Sequence, residues 1–175
     1  FMGMGEPLMN YDNLWQAITT LNSPEGFKLG ARNMTISTSG VIPGIQRLSK
    51  EKLQVGLAVS LHAADNNLRN KLVPLNKKYP LDKLIPACHE YSQLTGRRVS
   101  FEYILLHEIN DSIQHAKNLA ILLKNLNCHV NLIPANKTED MTFRPPAKKT
   151  ILAFENELKK QSINVTLRVS RGQDI

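Results

Sequence analysis

Five short polar runs, each closing an apolar stretch, hold the side chains that could do chemistry. They are Gly5-Glu6, Ser37-Thr38-Ser39, Ser60-Leu61-His62, Glu102 to His107, and Asn131 to Asn136. Together they offer carboxyl acceptors, hydroxyls and an imidazole, a set suited to hydrogen-bonded capture of a polar ligand. The first run, Phe1-Met-Gly-Met-Gly-Glu-Pro-Leu, reads as a strand end turning into a helix. Gly3 and Gly5 allow a tight turn and close approach to something bound. Pro7 cannot donate to a continuing strand, and Glu6 is presented by the turn. Other chemistries find less support. Ser60, His62 and Asp65 make a Ser-His-Asp set only on paper, since adjacency in sequence is not geometry. The 5 histidines are isolated and no Cys/His spacing matches a zinc site.

Those runs need elements to hold them together, and the apolar pattern supplies an alternation of strand and helix. Strands are predicted at Met34 to Thr38, Val55 to Ser60, Val99 to Leu106, Val130 to Ile133 and Ile163 to Val169, with one more ending at Phe1. Val55-Gly-Leu-Ala-Val-Ser60 is continuously apolar, as in a strand of a parallel sheet covered on both faces. Ile163 to Val169 alternates strictly and predicts a half-exposed edge strand. Helices are predicted through Trp15 to Leu21, Ile45 to Lys50, Leu81 to Leu94 (with Pro86 kinking its first turns), Ile113 to Leu123 and Ile151 to Leu158. Asn110-Asp-Ser112 supplies an N-cap for the fourth. Ala63 to Tyr79 reads as a polar connection, long enough to suggest a functional loop, and Asn136 to Pro146 as a second polar loop. A helix in every crossover argues for a parallel α/β sheet, a half-barrel or barrel of βα type. No G-x-G-x-x-G and no G-x-x-x-x-G-K-[ST] occurs. In a parallel sheet ligands bind where strands end, which is where all five polar runs lie.

Composition narrows the partners. In 175 residues, 22 Lys and Arg outweigh 15 Asp and Glu, for a formal net charge of +7. An excess of this sign suits a polyanion such as nucleic acid. With only 1 Trp, 4 Tyr and 5 Phe, no stacking platform for bases is evident. Cys88 lies on the apolar stripe of a helical pattern and Cys128 just precedes a strand. Both read as reduced core residues of a cytoplasmic protein. No apolar run approaches a membrane span. The chain opens with Phe on a strand end, which predicts part of something longer.

An ordered set of motifs sharpens this. Phe1-Met-Gly-Met-Gly-Glu-Pro-Leu, Thr35-Ile-Ser-Thr-Ser-Gly, Leu57-Ala-Val-Ser-Leu-His-Ala, Pro74-Leu-Asn-Lys-Lys-Tyr, Glu102-Tyr-Ile-Leu-Leu, Ile109-Asn-Asp-Ser, Val130-Asn-Leu-Ile-Pro and Leu167-Arg-Val-Ser-Arg-Gly-Gln-Asp-Ile follow one another along the whole chain. The set resembles the radical S-adenosylmethionine (SAM) enzymes that methylate C2 of adenine in 23S rRNA and in some tRNAs.

The resemblance implies a partial (βα) barrel of radical SAM type, with residues 1–175 as the C-terminal portion of its core domain. It implies SAM as cofactor, 23S rRNA and tRNA as partners, and a [4Fe–4S] cluster in the full-length parent. Gly5 and Glu6 would receive the methionine ammonium and Ser37 the methionyl part. Ser60, Leu61 and His62 would lie along the ribose. Asn136 would contact the nucleoside; the family has Pro after this Asn where this chain has Lys137, and Asn131 is the alternative. The family's cluster loop, C-x-x-x-C-x-x-C, precedes the Gly-Glu-Pro segment, and its methyl-carrying cysteine follows the Asp-Ile end. Neither motif is in this chain, so Cys88 and Cys128 inherit no role, and the chain alone is expected to be inactive. The alternatives are the sibling that methylates C8 of the same adenine, or a piece that binds SAM or RNA while chemistry lies elsewhere.

Overall fold

The computed structural model describes residues 1–3, 5–136 and 143–168. Five strands form one sheet in sequence order: β1 (Thr35–Thr38), β2 (Gly56–Ser60), β3 (Val99–Leu105), β4 (Cys128–Pro134) and β5 (Val165–Leu167). Every pairing is parallel. The expected sixth strand survives as a single residue. Ser37 N–H donates to Phe1 O at 3.0 Å and the Phe1 amino group donates to Thr35 O, the bonding of a parallel neighbour. β5 lies at the far edge, as its alternation predicts. Its assigned span is shorter than Ile163 to Val169, and Val169 lies outside the described residues.

The two faces of the sheet differ in chemistry. Ile36, Leu57, Val59, Val99, Phe101, Tyr103, Leu105, Val130 and Leu132 are buried together on one face. That face meets the helices, with the ring of Phe154 from α6 (Lys148–Lys160) 5.4 Å from that of Tyr103. Successive side chains alternate, so the other face carries Ser37, Ser60, Ser100, Glu102, Asn131 and Thr166. A parallel sheet with helices on one face and polar side chains on the other is an unclosed barrel wall.

Local chemistry sets the helix ends. α1 (Tyr11–Asn22) buries Tyr11, Leu14 and Ile18. α2 (Ile42–Leu48) starts earlier than the sequence pattern suggests, because Pro43 and Gly44 join its first turn. α4 (Leu81–Thr95) runs unbroken through Pro86 and stops at Gly96, which takes a left-handed φ of 66°. α5 (Ile113–Leu122) is capped by Ser112, whose hydroxyl accepts from His115 N–H.

The stretch from Ala63 to Tyr79 is not a loop. It folds as α3 (Asn66–Leu72) and a 3-10 turn over Pro74–Lys77. Asp65 starts α3 by accepting from Leu68 N–H at 2.9 Å, a cap hidden among polar neighbours in the sequence.

Candidate functional site

The carboxyl ends of β1 and β2, with the turn after Phe1, enclose a small cleft. Gly3, Gly5, Glu6, Ser37, Ser39 and Ser60 line it, around a volume of about 80 Å³. Ser37 and Ser60 therefore meet because β1 and β2 are parallel neighbours. Gly5 sits at φ 100°, a conformation that a side chain makes costly. A Cβ there would meet no heavy atom within 4 Å, so the space beside the turn is open. The hydroxyls of Ser37 and Ser60 make no hydrogen bond among the described residues, and both side chains are half-buried.

Glu6 has structural work of its own. Its Oε1 accepts from Leu8 N–H at 3.1 Å and caps the short turn Pro7–Asn10, while Oε2 accepts from Ser39 N–H at 2.6 Å. One carboxyl thus clamps the first turn to the loop after β1. A carboxylate has about four lone-pair positions, so two remain for a ligand donor.

His62 lies beyond β2 at φ 60°. Its Nδ1 accepts from Ile104 N–H at 3.2 Å, which assigns the remaining ring hydrogen to Nε2. Burial, then the positive charge of Arg69, pushes its pKa down to about 4, so the ring is neutral at ordinary pH. With Nδ1 accepting and Asp65 engaged as a helix cap, the paper triad Ser60–His62–Asp65 does not assemble.

Leu61 differs from its neighbours in burial. It is fully buried, its N–H donates to Glu102 O, and its carbonyl accepts from Arg69 Nε. Its side chain belongs to the core. Asn136 is exposed just past β4 and is not among the residues that line the cleft. Asn131 sits within β4, its Nδ2 donating to Glu102 Oε1 at 2.8 Å.

Three residues that organise the rim escape a reading of the sequence. Arg69 is completely buried and donates to Leu61 O, Ser60 O, Ser39 O and Asn76 Oδ1, at 2.7 to 3.0 Å. It joins the ends of β1 and β2 from behind through neutral acceptors, and burial holds its pKa down to about 10. Asn76 continues this brace by donating to Asn66 and Asn70. Asn110, also fully buried, donates to His62 O and Ile104 O and accepts from Leu106 N–H. Arg69 precedes and Asn76 lies within the motif Pro74-Leu-Asn-Lys-Lys-Tyr, and Asn110 lies in Ile109-Asn-Asp-Ser, so the signal was present without its meaning.

The thiols take no part. Cys88 on α4 and Cys128 at the start of β4 are buried and unpaired, and burial pushes them up to about 12 and about 11. No group of three His, Cys, Asp or Glu able to hold a metal occurs among the described residues. No helix among them is long and apolar enough to cross a membrane.

Comparison with known proteins fits this geometry. Over its whole length the chain is 50% identical to a radical SAM methyltransferase from Sphaerobacter thermophilus of known crystal structure. The TM-score is 0.96, and 51% of that chain is covered. Over its whole length the chain is similar in sequence and fold to part of a radical SAM methyltransferase. Within that class its curated relatives are RNA methyltransferases. It is 49% identical, over 175 residues, to the probable dual-specificity RNA methyltransferase RlmN of Syntrophomonas wolfei, covering 49% of that protein. It is 49% identical over 174 residues to the protein of the same name from Geobacillus kaustophilus, covering 48% of it. The chain spans about half the length of the curated relatives it matches. No protein-family model matches the chain.

Proposed function

We propose that this chain forms the SAM-holding wall of a radical SAM RNA methyltransferase that modifies C2 of an adenine in 23S rRNA and tRNA. The observation that carries the reading is the cleft in which Gly5, Glu6, Ser37 and Ser60 meet. The residues suit the cofactor. An ammonium has three donors and seeks close oxygen acceptors. The remaining lone pairs of Glu6 and the open space beside Gly5 offer them at one end of the cleft. The unengaged hydroxyls of Ser37 and Ser60 extend the polar wall toward His62, whose neutral ring has an Nε2–H to donate to a sugar oxygen. A cleft of about 80 Å³ suits the methionyl end, with the nucleoside lying along the rim toward His62 and Asn136.

SAM supplies the methyl group and, on reductive cleavage, the radical chemistry. Glu6, Ser37, Ser60 and His62 fix its position, while Arg69 and Asn110 keep the strand ends from moving apart. We place the [4Fe–4S] ligands and the methyl-carrying cysteine in parts of the protein outside this chain. The net charge of +7 favours a polyanionic substrate. The parent is taken to act in the cytoplasm.

The test is methyl transfer by the full-length protein, reconstituted anaerobically, from methyl-labelled SAM to 23S rRNA fragments and tRNA. Nucleoside mass spectrometry should find label as 2-methyladenosine. Label at C8, or on no adenine, would refute the reading.

A further inference from the structure

The polar face of the sheet carries a feature that the cleft does not use. Among the described residues, two buried side-chain polar atoms lack a hydrogen-bond partner, Glu102 Oε2 and His129 Nδ1. Both belong to the helix-free face, in adjacent rows of the sheet register. Glu102 stands directly beside Ser60 in that register, and Asn131 and Thr166 continue its row. The row therefore begins at the rim and runs away from it across the face.

Glu102 is 6% exposed, yet only one of its oxygens is served. Asn131 Nδ2 holds Oε1 at 2.8 Å. The nearest cation, Arg168 Nη1, stops at 3.8 Å from Oε2 on a side chain that is more than half exposed, beyond hydrogen-bond reach. A buried carboxyl oxygen left without a donor is costly, and an aimed acceptor of this kind calls for an N–H or O–H from outside. Its register partners Ser60 and Asn131 are neutral and polar. With Arg168 beyond hydrogen-bond reach, the open position on Oε2 suits a neutral donor, such as a sugar diol or the exocyclic amine of a base.

We propose that Glu102, braced by Asn131, is the hydrogen-bond acceptor of a nucleoside-binding subsite on the helix-free face of the sheet, adjoining the Ser60 rim. The subsite rests on the reading of the parent as a SAM-dependent RNA methyltransferase. Two nucleosides meet its chemistry, that of SAM and the target adenosine of the RNA.

The experiment uses the full-length protein and two titrations. In one, SAM and its 2′-deoxyribose analogue are titrated by calorimetry. In the other, an RNA hairpin carries either the target adenosine or purine riboside, which lacks the amine. Wild-type protein should lose affinity about tenfold or more on one of these ligand deletions. Glu102→Gln turns the Oε2 acceptor into a donor at constant volume. It should lose a similar factor against the intact ligand and show little further loss with the deleted one. A SAM-arm effect identifies the cofactor's nucleoside, and an RNA-arm effect the target base. If the wild type tolerates both deletions, or a cooperatively folding Glu102→Gln binds both intact ligands unchanged, the subsite is refuted and Arg168 or solvent serves Oε2. A wild type that binds neither SAM nor RNA refutes the functional reading, and the subsite with it.

Discussion

Replacing Arg69 with Met is the sharpest test of how this rim is held. The guanidinium is fully buried and makes four hydrogen bonds, none to a carboxylate. Met keeps much of the volume and removes every donor. Asn76 Nδ2 stays bound to Asn66 and Asn70, and Ser39 and Ser60 are half-buried and can reach water. Leu61 O keeps its bond from Ala63 N–H at 2.8 Å, whereas Asn76 Oδ1, on a residue only 1% exposed, loses its donor and cannot reach water. One fully orphaned buried acceptor costs about 1–3 kcal/mol, and the partly exposed ones add to it. Against this, the variant no longer buries an unpaired cation, which by itself disfavours the native protein. The expected net loss is about 2–4 kcal/mol, read as a lower urea midpoint at constant slope. Arg69→Lys should lose about as much, because an ammonium cannot span acceptors on three separate segments. A variant as stable as wild type, or more stable, would refute the reasoning and show that desolvation outweighs the links.

Three further outcomes follow from the same contacts. The His62 pKa is lowered from 6.5 to about 4, so between those values the unfolded chain binds more protons than the native one and stability must fall as pH drops. The loss should approach about 3 kcal/mol by pH 4 and shrink in His62→Asn, as urea midpoints at pH 7 and pH 4.5 would reveal. Gly40 holds a φ of 112°, and a Cβ there would lie 2.9 Å from Leu84 Cδ2 in the core. Gly40→Ala should therefore cost about 1–3 kcal/mol, and a neutral result by thermal unfolding would dispute the packing. RNA binding by this basic chain should weaken at least about tenfold between roughly 50 and 200 mM salt. Salt-insensitive, sequence-selective binding in a filter assay would imply base readout by surfaces other than those described.

The strand and helix rhythm was legible because apolar periodicity reports burial directly. Ile36, Leu57, Val59 and Phe101 announce one buried face, and the parallel order follows from a helix in each crossover. What stayed hidden depends on tertiary context. Arg69 looks like a solvated cation in sequence, since an arginine buried against neutral acceptors is uncommon. Its partners on the β1 and β2 loops become visible only when the strands pair. The same concealment turned Ala63 to Tyr79 into an apparent loop: the Asp65 cap and the Arg69 brace replace an apolar stripe as the reason for helix. The burial of the Leu61 side chain was hidden for the opposite reason, because position between two candidate residues says nothing about which way a side chain faces. Glu6 shows how two readings can coexist. Its backbone clamp is plain in the structure, and a cofactor contact would use the lone pairs that the clamp leaves.

The central claim is that the strand ends around Glu6 and Ser60 hold SAM, and calorimetric titration of SAM into the full-length protein tests it most directly. Wild type should bind. Glu6→Ala should weaken binding by about 1.5–3 kcal/mol, the worth of a hydrogen bond to a charged group. Ser60→Ala should weaken it by about 0.5–1.5 kcal/mol, and Lys159→Ala on the far end of α6 should leave it unchanged. Folded Glu6→Ala and Ser60→Ala proteins that bind SAM as tightly as wild type would contradict the claim.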